Sequence, residues 1–130
     1  MSGRSTPAQF GPVLLIEDNF LLARAIGDML EELGSECLFA STGETGVDTL
    51  NAHSVRLVLS DIELPGDLDG IALARRLRHS HPDIPTLLMT GDPTKAEDAK
   101  DEFTVLIKPF GLRQLSDAIS VLLNSIKTDP

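Results

Sequence analysis

The sequence predicts an α/β fold, in which a five-stranded parallel sheet carries helices on both faces. Short, continuous apolar runs are typical of strands buried on both faces, and stripes of apolar residues at helical spacing separate these runs. Such alternation favours parallel strands joined by right-handed crossovers, which place helices on both sides of the sheet. A chain of 130 residues suits one domain.

Composition and charge exclude several classes of protein. Hydrophobic residues make up 42% of the chain and charged residues 24%, as in ordinary globular domains. The net charge of −9 argues against direct nucleic-acid binding, which needs clustered lysine and arginine. No apolar run is long enough to span a bilayer, so no membrane insertion is expected. Residues 1–11 lack the apolar stretch of a signal peptide and are interpreted as a flexible leader of a cytoplasmic protein.

The first predicted strand covers Val13–Ile16, an apolar run that stops at two acids, Glu17 and Asp18. Asp18 or Asn19 can cap the helix that follows. Apolar residues recur at helical spacing through that helix until Gly34 ends it.

A short second strand is predicted over Cys37–Ala40, with the single cysteine as a buried or half-buried thiol. Thr42 is the predicted cap of a second helix that runs to about His53. Residues 57–60 form another buried-strand pattern, and this strand too ends on an acid, Asp61.

The third helix is predicted from the apolar positions between Ile71 and Leu77 and stops before Pro82. Residues 85–90 then form the fourth strand. The fourth helix should lie within residues 91–102, yet this segment offers only two alanines to bury. A short or mobile helix is therefore expected there.

The fifth strand is predicted over residues 103–107, and the last helix carries the most regular apolar stripe of the sequence. That stripe consists of Leu112, Leu115, Ile119, Leu122 and Ile126. The predicted domain therefore covers residues 12–126, and residues 127–130 form a tail.

Polar residues stand at the carboxyl ends of four predicted strands: Glu17 and Asp18, Asp61, Thr90 and Lys108. Ligands of open α/β sheets bind at these ends. Taken singly, each residue also fits an ordinary role, such as a helix cap, a turn or a solvated edge. Their order on successive strand ends is what predicts a site.

The residue types at these strand ends predict phosphoryl-transfer chemistry. Three acids repel one another unless a cation compensates them, and Mg²⁺, with Mn²⁺ as an alternative, favours such hard oxygen ligands. A carboxylate can act as the nucleophile toward phosphorus when the charge of the phosphoryl group is neutralised. Lys108 supplies a point charge for that purpose, and Thr90 supplies a hydroxyl that can donate to a phosphoryl oxygen.

Four segments together resemble the motifs of receiver domains of bacterial two-component response regulators, similar to the chemotaxis regulator and of the stand-alone or hybrid-kinase type. They read LLIEDN, LVLSDIELPGDLDG, LLMTGD and LIKPF, and the resemblance covers residues 12 to about 126. It implies the flavodoxin-like strand order 2-1-3-4-5. It also implies a phosphoprotein of phosphorelay signal transduction rather than an enzyme, since such a receiver catalyses only its own phosphorylation and dephosphorylation.

Carried over residue by residue, the resemblance makes Asp61 the phosphoacceptor and Glu17 and Asp18 the acid pair at the metal. Asp61 and the backbone carbonyl of Glu63 complete the protein ligands. A histidine kinase or histidine phosphotransfer protein is the implied phosphoryl donor. A downstream protein is the implied target, and a homodimer is an implied alternative state.

The resemblance further assigns Thr90 as the switch hydroxyl and Lys108 as the cation that binds the phosphoryl group, with a cis bond between Lys108 and Pro109. Three features depart from the family pattern, one of which is the loop after Asp61, IELPGDLDG, which is one residue longer than the commonest receiver form. Val105 stands where the family usually has an aromatic ring that moves with the threonine, and the fourth helix is short. These departures suggest the hypothesis that phosphorylation orders residues 91–102 instead of rotating a ring.

Two other functions compete with a phosphorylation switch. One is a receiver-like module that binds proteins without being phosphorylated, which the departures at Val105 and in the fourth helix favour. The other is a phosphatase resembling the haloacid dehalogenases, which also uses a nucleophilic Asp, Mg²⁺ and a Lys. That family places its nucleophile on the first strand, whereas Asp61 follows the third predicted strand.

Overall fold

The computed structural model describes residues 10–127 and contains the five strands and five helices that the sequence predicts. The strands are β1 Val13–Ile16, β2 Cys37–Ala40, β3 Leu57–Asp61, β4 Thr86–Thr90 and β5 Thr104–Ile107. The helices are α1 Phe20–Glu32, α2 Gly43–Ala52, α3 Gly70–Ser80, α4 Pro93–Ala99 and α5 Leu112–Lys127. The predicted flexible leader falls mostly on residues 1–9 and the predicted tail mostly on residues 128–130, which lie outside the described residues.

The strands form one parallel sheet in the order β2-β1-β3-β4-β5, as the resemblance implied. Side chains of β1 alternate between two apolar layers, because successive strand residues point to opposite faces. Val13 and Leu15 pack in the layer that contains residues of α1 and α5. Leu14 and Ile16 pack in the layer that contains residues of α2 and α3. The prediction of a sheet covered by helices on both faces is confirmed.

Several element boundaries differ from the prediction by one residue, each for a local reason. Strand β4 begins at Thr86, because Pro85 has no N–H to donate to the sheet. Strand β5 begins at Thr104, because the N–H of Phe103 donates to the carbonyl of Ala99 at 2.9 Å and closes the turn after α4. The side chain of Asn19 caps α1, since it accepts the N–H of Leu22 at 3.0 Å.

Helix α4 has only seven residues, so the prediction of a short helix is confirmed. Its buried side chains are Ala96 and Ala99, the two alanines that the sequence offered. Cys37 is half-buried, as expected, and burial raises the pKa of its thiol to about 12. Of the helices that the structure describes, none is both long enough and apolar enough to cross a membrane.

Two glycines shape the loop that joins β3 to α3. A Cβ atom at Gly70 would lie 2.1 Å from the backbone oxygen of Asp61, so only glycine lets α3 begin this close to the end of β3. Gly66 has a φ of +87°, a left-handed conformation that favours glycine. Asp69 caps α3 by accepting the N–H of Ala72 at 2.8 Å. The loop is thereby held over the carboxyl end of the sheet.

Candidate functional site

Three acids converge where β1 and β3 end. The two strands are neighbours and pair Ile16 with Ser60, so the residues that follow, Glu17 and Asp61, lie side by side. One carboxylate oxygen from each of Glu17, Asp18 and Asp61 lies within 4.8 Å of the other two. Glu17 and Asp61 are buried, whereas Asp18 is exposed. The structure therefore brings together the three acids that the sequence singled out.

Lys108 reaches two of these acids from the end of β5. Its Nζ atom lies 3.1 Å from Oδ2 of Asp61 and 3.2 Å from Oε1 of Glu17. The backbone N–H of Lys108 donates to the carbonyl of Thr90 at 2.8 Å, which fixes the lysine beside β4. The peptide bond between Lys108 and Pro109 is cis, as the resemblance implied. The predicted lysine thus lies in contact with the predicted phosphoacceptor.

The buried position of Asp61 changes its acidity. Burial raises the pKa of this carboxyl from 3.8 to about 7, because it penalises the charged form. The hydrogen bond and positive charge of Lys108 lower this pKa, and the negative charge of Glu17 raises it. Without a metal ion, one lysine only partly compensates the charge at the site.

One oxygen of the cluster has no partner. Oδ1 of Asp61 is buried and accepts no hydrogen bond from the residues that the structure describes. A buried carboxylate oxygen without a partner is costly, and a hard cation would satisfy it. Mg²⁺ fits this set of donors, since it takes one or two carboxylates together with water and phosphate oxygens. Glu17, Asp18 and Asp61 would hold it; the backbone carbonyl of Glu63 stays a predicted ligand.

Thr90 lies at the end of β4, fully buried, but its hydroxyl points to a partner that the sequence did not predict. Oγ1 of Thr90 donates to the carboxylate of Glu63, at 2.9 and 3.2 Å from the two oxygens. The same carboxylate lies 3.2 Å from Nζ of Lys95 on α4. Sequence reasoning assigned a role only to the backbone of Glu63 and none to Lys95. The nearest sequence signal was the position of Glu63, two residues after Asp61.

The pKa of Glu63 reflects these contacts. Burial alone would raise it, but the contacts with Thr90 and Lys95 hold the pKa of this carboxyl below its ordinary value. Glu63 is therefore anionic at neutral pH, and it lies at the edge of the acidic cluster.

Comparison with known proteins agrees with this geometry. The family model described as the response regulator receiver domain matches residues 13–120. The response regulator receiver protein CpdR of Brucella abortus is 34% identical over 115 residues, which are 85% of this chain and 95% of CpdR. The response regulator protein FleR of Pseudomonas aeruginosa is 35% identical over 112 residues, which are 83% of this chain but only 24% of FleR.

Solved structures agree as well. The crystal structure of a response regulator receiver domain protein from Clostridium thermocellum superposes with a TM-score of 0.78 at 30% identity, over 90% of this chain and 97% of that one. The family match, the CpdR relative and this structure all cover most of the chain. The protein therefore belongs to the response regulator receiver domain family of two-component signalling.

Proposed function

We propose that this chain, as a receiver domain over residues 12–126, accepts a phosphoryl group from a phosphohistidine onto Asp61. A carboxylate oxygen of Asp61 forms the new bond to phosphorus, and the bond between phosphorus and the donor nitrogen breaks. The observation that carries the proposal is the convergence of Glu17, Asp18 and Lys108 on this buried carboxylate. A bound Mg²⁺ would supply positive charge to the carboxylates and the phosphoryl oxygens.

The other side chains of the site have distinct roles in this proposal. Lys108, already in contact with Asp61, neutralises the charge that the phosphoryl group adds. Thr90 offers its hydroxyl to a phosphoryl oxygen and thereby carries the state of Asp61 toward the surface. The chain would act as a switch for partner proteins, and its own Asp61 would be the only acceptor of the phosphoryl group.

Intact mass after incubation with acetyl phosphate or phosphoramidate and Mg²⁺ tests this function. We expect a wild-type species heavier by one phosphoryl group, and no such species for Asp61→Asn, because the amide cannot attack phosphorus. Omission of Mg²⁺ should strongly reduce the adduct. Absence of an adduct on the wild type would instead indicate a phosphorylation-independent binding module. Release of phosphate over many turnovers would indicate a phosphatase.

Two exposed apolar residues beside the site suggest where the phosphohistidine protein docks. Phe20 and Leu21 open α1, directly after the acids of the site, and are 73% and 77% exposed. A protein that brings its imidazole to Asp61 must cover this rim, and large apolar side chains gain most from being covered. We therefore place the donor protein, a histidine kinase or phosphotransfer protein, against the start of α1.

Leu21→Asp is expected to slow phosphorylation by such a donor protein about tenfold, as loss of an interface anchor does, and to leave phosphorylation by acetyl phosphate unchanged. An acid in the first turn of a helix is favourable, so the fold should persist. Val121→Asp is the matched control, since Val121 is exposed on α5, another helix. Equal slowing by both variants, or slowing with acetyl phosphate as well, would remove α1 as the docking site.

A further inference from the structure

The carboxylate of Glu63 connects three elements of the fold. It lies in the loop after β3, accepts the hydroxyl of Thr90 from β4, and pairs with Lys95 of α4. Oγ1 of Thr90 also accepts the N–H of Asp92, the cap of α4, at 3.0 Å. The residue that is to sense the phosphoryl group is thus already bound to a competing anion, and that anion contacts α4.

Helix α4 has few apolar contacts to hold it. Its buried side chains are two alanines, which bury little surface compared with leucine or phenylalanine. Ion pairs stand at both ends of the segment instead. Lys95 pairs with Glu63 near its start, and beyond its end Glu102 pairs with Arg75 and Arg78 of α3. Ion pairs therefore help to position α4, beside the packing of its two alanines.

We propose that Glu63 is a positioning residue that holds the Thr90 hydroxyl in the unphosphorylated protein, and that its ion pair with Lys95 couples the state of Asp61 to α4. The inference rests on the proposed phosphorylation of Asp61. It supplies an output route in a chain whose Val105 is packed into the apolar layer beside Ala99 and has no ring to rotate.

The coupling from Asp61 to α4 follows from the single hydroxyl proton of Thr90. A threonine hydroxyl has one proton to donate, so Thr90 can serve Glu63 or a phosphoryl oxygen, but not both. When it turns to the phosphoryl group, Glu63 loses a donor and faces additional negative charge at Asp61. Its carboxylate then moves outward, and the contact with Lys95 is lost. Phosphorylation thereby loosens α4.

This outcome is the reverse of the one that the sequence suggested. The departures from the family pattern, at Val105 and in the fourth helix, favour the hypothesis that phosphorylation orders residues 91–102. With Asp61 unmodified, however, the segment already contains the helix Pro93–Ala99. Since α4 is formed before any phosphoryl group arrives, release of the helix is the change that the structure favours.

Amide hydrogen exchange of residues 93–99, with and without beryllofluoride and Mg²⁺, tests the coupling. We expect beryllofluoride to accelerate exchange in the wild type. Lys95→Ala should exchange fast already and respond little to beryllofluoride. Lys100→Ala is the matched control and should behave like the wild type, because Lys100, the residue directly after α4, pairs with Glu97 of that helix at 3.0 Å and not with Glu63.

Affinity for beryllofluoride gives a second readout that a merely structural role of Glu63 would not move in the same direction. Glu63→Ala frees the Thr90 hydroxyl, so it should bind beryllofluoride about tenfold more tightly, the worth of a hydrogen bond to a charged group. If Glu63 only supported the fold, the substitution would weaken binding.

The outcomes separate this inference from the proposed function. Fluorine NMR first reports whether the wild type binds beryllofluoride at all, and absence of binding overturns the proposed function and the coupling with it. If beryllofluoride binds while exchange of residues 93–99 slows or stays the same, the switch stands and the coupling through Glu63 and Lys95 is wrong. Weaker binding by Glu63→Ala also overturns it.

Discussion

Replacing Asp61 with asparagine is expected to stabilise the metal-free protein by about 4 kcal/mol at pH 8, because the pKa of Asp61 rises by about three units, from 3.8 to about 7, and each unit corresponds to about 1.4 kcal/mol. The carboxylate is buried among Glu17, Asp18 and Lys108, and its Oδ1 accepts no hydrogen bond from any residue of the described part. Asparagine keeps the shape of the side chain and removes one negative charge. In the proposed function, the residue that accepts the phosphoryl group is therefore one whose charge costs stability.

The sign of the pH dependence follows from the direction of the pKa shift. Burial raises the pKa of Asp61 from 3.8 to about 7, so the folded protein holds a proton that the unfolded chain has already released. Stability is therefore lost as the pH rises from about 4 through 7, since over this range the folded state binds more protons than the unfolded state. Asp61→Asn lacks this loss, and the difference between the two proteins should grow over the same pH range.

Urea denaturation of the wild type and Asp61→Asn at pH 5 and pH 8, in chelator and in excess Mg²⁺, measures both effects. Mg²⁺ should raise the wild-type midpoint, because a ligand that binds the folded state stabilises it, and should raise that of Asp61→Asn much less. Asp67→Asn is the matched control, as an exposed acid of the same loop. If both variants change stability equally, the buried cluster is not the source of the effect.

The acids of the site could be predicted from sequence because buried parallel strands have a simple pattern. Each of β1 and β3 is an uninterrupted apolar run that stops at an acid, and adjacent strands bring their ends together. The position of Lys108 beside Asp61 needed the strand order, which came from the family resemblance and not from periodicity. The apolar pattern fixes which residues lie at strand ends, and topology fixes which of those ends meet.

Contacts between side chains of loops and helices could not be predicted in this way. Whether Asp18 or Asn19 caps α1 depends on local contacts of the backbone, and here Glu17 accepts the N–H of Asn19 at 3.0 Å, while the side chain of Asn19 accepts the N–H of Leu22. The bridge from Thr90 through Glu63 to Lys95 depends on side-chain rotamers and on the path of the eight-residue loop between β3 and α3, residues 62–69. Neither leaves a periodic signal in the sequence.

Lys108→Met is expected to destabilise the metal-free protein by about 3–5 kcal/mol at neutral pH, the usual cost of removing one partner of a buried ion pair. Nζ of Lys108 contacts both Glu17 and Asp61, and the lysine side chain is only 16% exposed. Methionine retains the apolar stem but leaves two buried acids without their cation. Phosphorylation by acetyl phosphate should also slow about a hundredfold, as loss of a charge-stabilising donor does.

The double variant Lys108→Met/Asp61→Asn tells whether the loss of stability comes from the charge of Asp61 or from lost packing of the lysine stem. If charge is the cause, asparagine should recover part of the loss, and the two effects should depart from additivity by about 1–3 kcal/mol, as for residues in contact. Additive effects in urea denaturation would assign the loss to packing instead. Lys100→Met is the control, since Lys100 is exposed, follows α4 and pairs with Glu97; it should change stability by less than about 0.5 kcal/mol. Excess Mg²⁺ should restore part of the stability of Lys108→Met, because a divalent ion can replace the lost positive charge between Asp61 and Glu17.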